Sequence, residues 1–243
     1  MRILIIRHGD PYYPTDSLTE KGQREAALLG EKLKNEGISE IYVSPHGRAQ
    51  LTAKPTADAL GIHPVVLDWL REFPAMLNFE YKTDFYQHKG PWNMPPELWV
   101  DDPDVYSIER WRQSKLLEGS KIAETYDYIC GKFDEFTADH GFVRDGGFYR
   151  ITEKGEGNRD TIALFCHFGL GTAIISHVLN MPLVAVWNSV FLPTSSVTTL
   201  FMERHIQSRP IAHGIFCGIG DTSHLYAGGE PISCSGLHTK VLK

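Results

Sequence analysis

The chain has 243 residues, of which 42% are hydrophobic and 22% charged. That is ample for a full core, and it excludes wholesale disorder. Lys and Arg number 24 against 30 Asp and Glu, for a net charge of −6, and no basic run stands out, so nucleic acid is not expected as a partner.

The first apolar run, Ile3-Leu4-Ile5-Ile6, is β-branched and unbroken. It reads as a strand covered on both faces, and it is too short for a signal-peptide core. No stretch reaches the roughly 18–20 apolar residues of a membrane helix, so a cytoplasmic protein without a membrane partner is expected. A loop with Gly9, Pro11 and Pro14 follows, and then Ser17-x-x-Glu20 reads as a capping box. The helix behind it carries Gly22, Ala26, Leu29 and Leu33 on one face and stops at Gly37.

Ile41-Tyr42-Val43 is a second strand, and residues 47–60 form a second helix. Pro55 lies inside that segment and predicts a kink or a restart. Pro64 to Asp68 reads as a third strand. Residues 73–115 then lose all periodicity and are rich in Pro, Trp, Tyr, Phe and Asp. So long an irregular stretch suggests a functional insertion, here a lid with Trp92 or Trp99 at its mouth, or else a hydrophobic cluster packed on the sheet.

Ile122, Tyr126, Ile129, Phe133 and Phe136 recur at helical spacing. Strands are expected at Phe148–Thr152, Thr161–Cys166 and Val197–Met202, with a helix at Gly171–Leu179. The alternation of strand and helix predicts an α/β three-layer sandwich. It would have a mostly parallel central sheet with helices on both faces, as one domain over residues 1–243. Cys130, Cys166, Cys217 and Cys234 are far apart and form no C-x-x-C pair; they read as reduced core thiols. No H-x-x-x-H or H-E-x-x-H occurs, so neither a metal nor another cofactor is expected.

Chemistry gathers where strands end. Arg7-His8-Gly9 follows the first strand, and Ser44 to Ala53, with Arg48, follows the second. Glu72 follows the third, and His167-Phe168-Gly169 the buried strand at 161–166. In open α/β sheets ligands bind at these carboxyl ends. Arginines and helix starts placed there suit an anion. Any one of these residues alone would be an ordinary surface or core residue; Glu72, for example, could simply pair with Arg71.

Together the motifs resemble those of the histidine phosphatase superfamily, the phosphoglycerate mutase-like family. They are Arg7-His8-Gly9, Leu18-Thr19-x-x-Gly22, Ser44-x-x-x-Arg48-Ala49-x-x-Thr52-Ala53, Glu72 and His167 near Gly169. The resemblance implies that His8 is a nucleophile, that Arg7, Arg48 and His167 hold phosphoryl oxygens, and that Glu72 is the proton donor. Glu80 and Asp84 are alternatives for the last role. It implies a metal-independent phosphatase acting on a small-molecule phosphomonoester or a phosphoprotein. Phosphoglycerate mutase-type transfer and non-catalytic binding of a phospho-ligand are the alternatives. Mutases of the family continue R-H-G differently from Asp10-Pro11-Tyr12-Tyr13, which favours hydrolysis. Asp10 is expected to repel multiply phosphorylated groups. Gly220 to Leu225 also resembles a family segment, without an assigned role.

Overall fold

The computed structural model describes residues 1–74, 77 and 91–237. Strand β1 (Arg2–Arg7) runs down the middle of the main sheet. A two-stranded ribbon, β2 (Pro11–Tyr12) and β3 (Ser17–Leu18), leads into helix α1 (Glu20–Leu33). Then come β4 (Ile38–Val43), α2 (Gly47–Leu60) and the short β5 (Val65–Val66). After the insertion follow α3 (Ile122–Asp139), β6 (Phe142–Asp145), β7 (Phe148–Ile151), β8 (Thr161–Cys166), α4 (Phe168–Leu179) and α5 (Leu183–Ser189). The last described elements are β9 (Val197–Glu203), β10 (Ile211–Asp221) and α6 (Ser223–Gly228).

The sheet order is β5-β4-β8-β1-β9-β10-β7-β6. This is the expected α/β class, with a mixed sheet. The strands from β5 to β1 are mutually parallel, whereas β9, β10, β7 and β6 add by antiparallel pairing. Connection length accounts for two of these antiparallel pairs, β6 with β7 and β9 with β10. β6 and β7 are joined by the turn Gly146-Gly147, and β9 and β10 by residues 204–210. Such short links make hairpins, because a parallel pair needs a long crossover.

The two faces of β1 sort its residues between two cores. Ile3 and Ile5 join α3, α4 and the described insertion residues Trp99, Val105 and Trp111. Leu4 and Ile6 join Leu29 and Leu33 of α1 and Ala49, Ala53 and Ala57 of α2. Alternation within an all-apolar strand thus produces the three layers. The insertion residues described are short 3₁₀ turns whose aromatic side chains pack inward: Trp111 is fully buried, 5.1 Å edge-on from Tyr126. That matches the packed-cluster alternative. Residues 75, 76 and 78–90, where a lid was expected to begin, lie outside the described residues.

Several local expectations are corrected. The cap of α1 is Thr19, whose Oγ1 accepts from Gly22 N; Ser17 lies in β3 instead. The cap falls there because Thr19 is also pinned to Asp10, its N–H bonding the Asp10 carbonyl at 3.0 Å. Helix α2 is continuous through Pro55. The carbonyl that Pro55 deprives of a donor belongs to Leu51, a residue on the exposed side of the helix. Cys130 and Cys166 are buried, but Cys217 is exposed on β10 and Cys234 only half-buried. Among the described residues no helix is long and apolar enough to cross a membrane.

Helices α1 and α2 meet at Gly30, where a Cβ would lie 2.9 Å from Pro55 Cβ and 3.1 Å from its carbonyl carbon. A rigid ring and backbone cannot yield there. Gly→Ala gains about 1 kcal/mol of helix propensity, whereas overpacking costs about 1–3 kcal/mol. Gly30→Ala is therefore expected to lower the urea midpoint without changing the slope; a raised midpoint would show that the helices separate freely.

Candidate active site

The carboxyl ends of β1, β4 and β8 carry His8, Ser44 and His167 to one edge. The His8 N–H bonds the Cys166 carbonyl at 3.0 Å, and its own carbonyl accepts from Ser195 N at 3.0 Å. The imidazole is equally constrained. Its Nδ1 lies 2.8 Å from the Gly9 carbonyl. A carbonyl only accepts, so Nδ1 carries the proton and Nε2 keeps a lone pair. Burial, seconded by the charges of Arg7 and Arg48, holds the His8 pKa well below its ordinary value, even though the Gly9 bond works the other way.

His167 stands at the N-cap of α4, fully buried. Arg48 Nη2 donates to its Nδ1 at 3.2 Å, so the proton is on Nε2, which donates to Ser44 Oγ at 2.8 Å. Burial again dominates in keeping this ring neutral, with His8 and Arg48 adding to it. The His8 and His167 rings lie 5.1 Å apart. The only N–H of His167 is engaged by Ser44, so contact with a phosphoryl oxygen requires that bond to be exchanged.

Both arginines are buried, Arg7 to 5% exposure and Arg48 to 8%. Arg7 donates to the carbonyls of Leu192 (2.6 Å) and Ser235 (3.3 Å), and its guanidinium lies 5.5 and 5.7 Å from the rings of Phe168 and Phe191. Arg48 donates to Asp16 and lies 5.6 Å from the Tyr13 ring. Each guanidinium retains a buried Nε–H without a partner among the described residues. Two cationic forks with spare donors form an anion cradle.

Glu72 is partly buried. Its Oε1 accepts from Phe73 N at 2.8 Å and from Leu170 N, in the first turn of α4, at 3.1 Å. Both bonds fall on one oxygen. Desolvation raises the carboxyl's pKa despite those bonds and the nearby Arg7. Arg71 turns instead toward Asp68, at 3.4 Å. Glu80 and Asp84 lie outside the described residues.

The motif spacings now have physical causes. Thr52 Oγ1 donates to the Arg48 carbonyl, one turn earlier, and accepts from Gly9 N, tying α2 to the turn after β1. A Cβ at Gly22 would lie 2.2 Å from the Asp10 carbonyl oxygen. Only glycine lets α1 approach that turn so closely. The Asp10 carboxylate accepts from Thr19 Oγ1 (2.8 Å) and Ser233 Oγ (2.5 Å). It latches the segment at 231–237 onto the site.

Three participants escaped the sequence reading. Asp16 bonds Arg48, Gly47 N (2.7 Å) and His46 Nδ1 (3.3 Å) from a left-handed turn with φ of 49°. His46, at the start of α2, packs edge-on to His167 at 5.0 Å. His224, in the segment without an assigned role, lies behind the site with Nε2 2.9 Å from Ser195 Oγ. An acidic residue two positions before Leu18-Thr19 was the available signal for Asp16.

The mixed α/β sheet thus brings two buried arginines and two neutral histidines together at its parallel strand ends, an arrangement suited to an anion. Residues 3–118 match the model of the histidine phosphatase superfamily (branch 1). A probable phosphoglycerate mutase GpmB from Yersinia pestis is 38% identical over 81 residues, 30% of this chain. The chain spans only 38% of the length of that relative. Among solved structures, phosphoserine phosphatase from Entamoeba histolytica with 3-phosphoglyceric acid superposes with a TM-score of 0.60 at 19% identity, covering 92% of this chain and 98% of that one. Mycobacterial glucosyl-3-phosphoglycerate phosphatase superposes at 0.59 with 18% identity, covering 91% and 99%. At these identities the likeness is one of fold.

His224 offers a test of the site's support. Its burial, assisted by Lys32, lowers its pKa from 6.5 to about 4. The unfolded chain therefore takes up a proton below pH 6.5 that the folded chain refuses until about pH 4. The stability this group contributes is complete above that window and lost as pH falls through it, by up to about 3 kcal/mol. His224→Gln is expected to flatten the acid side of the stability–pH curve measured by urea unfolding. An unchanged acid limb would rule this out.

Proposed function

We propose that the protein is a metal-independent phosphomonoester hydrolase that passes through a phosphohistidine on His8. The observation that carries this reading is the tautomer of His8: a neutral ring with its lone pair on Nε2, beside two buried guanidinium groups. An imidazolium could not attack phosphorus.

In the first step His8 Nε2 bonds to phosphorus as the ester P–O bond breaks. The leaving oxygen takes the proton of the Glu72 carboxyl and departs as an alcohol. Arg7 and Arg48 stabilise the charge on the equatorial oxygens with their spare N–H donors, which is the main demand of phosphoryl transfer. His167 joins them by exchanging Ser44 for a phosphoryl oxygen. In the second step a water attacks phosphorus and gives a proton to the Glu72 carboxylate. The P–N bond breaks, phosphate leaves, and His8 and Glu72 return to their starting states. A raised Glu72 pKa suits both roles.

The substrate is a phosphorylated small molecule. Solved relatives of this fold hold phosphoserine and 3-phosphoglyceric acid. The similarity to proteins named as probable phosphoglycerate mutases supports a second reading, in which a substrate hydroxyl replaces water in the second step. The first step is common to both.

The test is phosphate release from a panel of phosphomonoesters in excess chelator. Wild type is expected to be active and His8→Ala to fall to background. Arg48→Ala should lose about 10²–10³-fold in kcat. Glu72→Gln should lose about 10²–10⁴-fold on alkyl esters and much less on 4-nitrophenyl phosphate, whose leaving group needs no proton. Equal release by wild type and His8→Ala would overturn the assignment. Conversion of 3-phosphoglycerate to its isomer without release would select the mutase reading.

A further inference from the structure

A cavity of about 320 Å³ lies against the site. Its walls include Trp92, Trp99, Phe168, Trp187 and Phe191. This is at the lower end of ligand-pocket sizes, roughly 300–1,000 Å³. Two of these rings, Phe168 and Phe191, are the pair that flank Arg7. Gly236 also lines the cavity, and a Cβ there would lie 3.4 Å from Arg7 Nη2. On the other side, a Cβ at Gly169 would meet Trp92 at 2.4 Å and Glu72 Oε1 at 2.9 Å. The cavity therefore adjoins both the phosphate-side arginine and the carboxyl assigned to the leaving oxygen.

No residue described as lining it is ionisable; the polar ones are Asn93, Asn188 and Ser189 besides the indole N–H groups. Trp99 keeps a buried indole N–H with no partner among the described residues. With Arg7 taken up by the phosphoryl group, no charge among the described lining residues is left to pair a carboxylate or ammonium seated here, and desolvating either is strongly unfavourable. An apolar ring would gain the area it buries and stack edge or face against indole.

Resting on the hydrolase reading, we infer that this cavity seats the alcohol portion of the substrate, and that the substrate is a phosphomonoester of an uncharged, ring-sized apolar alcohol rather than of an amino acid or hydroxy acid. The phosphoryl group would sit in the arginine cradle and the ester oxygen beside Glu72. The ring would extend past Trp92 between the indoles.

The experiment compares kcat/KM for ethyl phosphate, cyclohexylmethyl phosphate, O-phosphoserine and 3-phosphoglycerate, in chelator, with His8→Ala as the blank. All four are primary alkyl esters, so their leaving groups differ mainly outside the reacting bond. Wild type is expected to prefer cyclohexylmethyl phosphate at least about tenfold over each of the others. Val190→Trp fills the cavity from its wall and should erase most of that preference, read as the ratio of kcat/KM for cyclohexylmethyl phosphate to that for ethyl phosphate. Ser189→Trp repeats the test from an exposed lining position that tolerates a large side chain. A preference for either charged substrate, or a ratio unmoved by both variants, would overturn the inference and leave the hydrolase reading intact. Release from none of the four would take down the hydrolase reading, and the inference with it.

Discussion

Two guanidinium groups are buried at the carboxyl ends of the parallel strands, and most of the surrounding structure answers to that. Taking each charge out of water carries a penalty of several kcal/mol unless its donors find partners. For Arg7 the partners are main-chain carbonyls of Leu192 and Ser235 and the faces of two phenylalanines. For Arg48 they are Asp16 and His167. Burial, with the arginine charges adding to it, also keeps the two imidazoles from taking protons.

A ring of uncharged or half-satisfied polar groups holds this arrangement from behind. Glu25, fully buried, accepts from Asp10 N at 2.8 Å and Thr194 Oγ1 at 3.0 Å, and burial raises its pKa. Thr194 and Ser195 belong to the turn before β9, and Ser195 N is the donor to the His8 carbonyl. His224 then supports the Ser195 hydroxyl. The backbone on either side of His8 is fastened by groups remote in sequence, which limits how far its ring can move during attack.

What was legible in the sequence was periodicity and motif order. The unbroken apolar runs at 3–6 and 161–166, the Ala spacing of α2 and the aromatic spacing of α3 all led to observed elements. Arg7, His8, Arg48, Glu72 and His167 do converge, because strand ends are common ground in this architecture. Contacts between distant segments were not legible. Nothing local distinguishes Thr19 from Ser17 as the cap until Asp10 is known to lie against it. Likewise Asp10 reads as a free charge until Ser233 arrives from the other end of the chain. Strand β10, with three glycines among its residues, has too weak an apolar alternation to be seen alone, and its pairing with β9 is what organises it. The insertion reads as irregular because its aromatic residues serve the core without following any helix or strand period.

The latch from Asp10 to Ser233 joins positions 223 residues apart. Strand β1 likewise pairs with β8 and β9 and not with its sequence neighbours. During synthesis His8 leaves the ribosome well before Cys166 and Ser195, the backbone partners that fasten it. The proposed nucleophile is therefore made long before the segments that hold it in place. A chain released before the turn at 194–196 would carry His8 without the means to fix it.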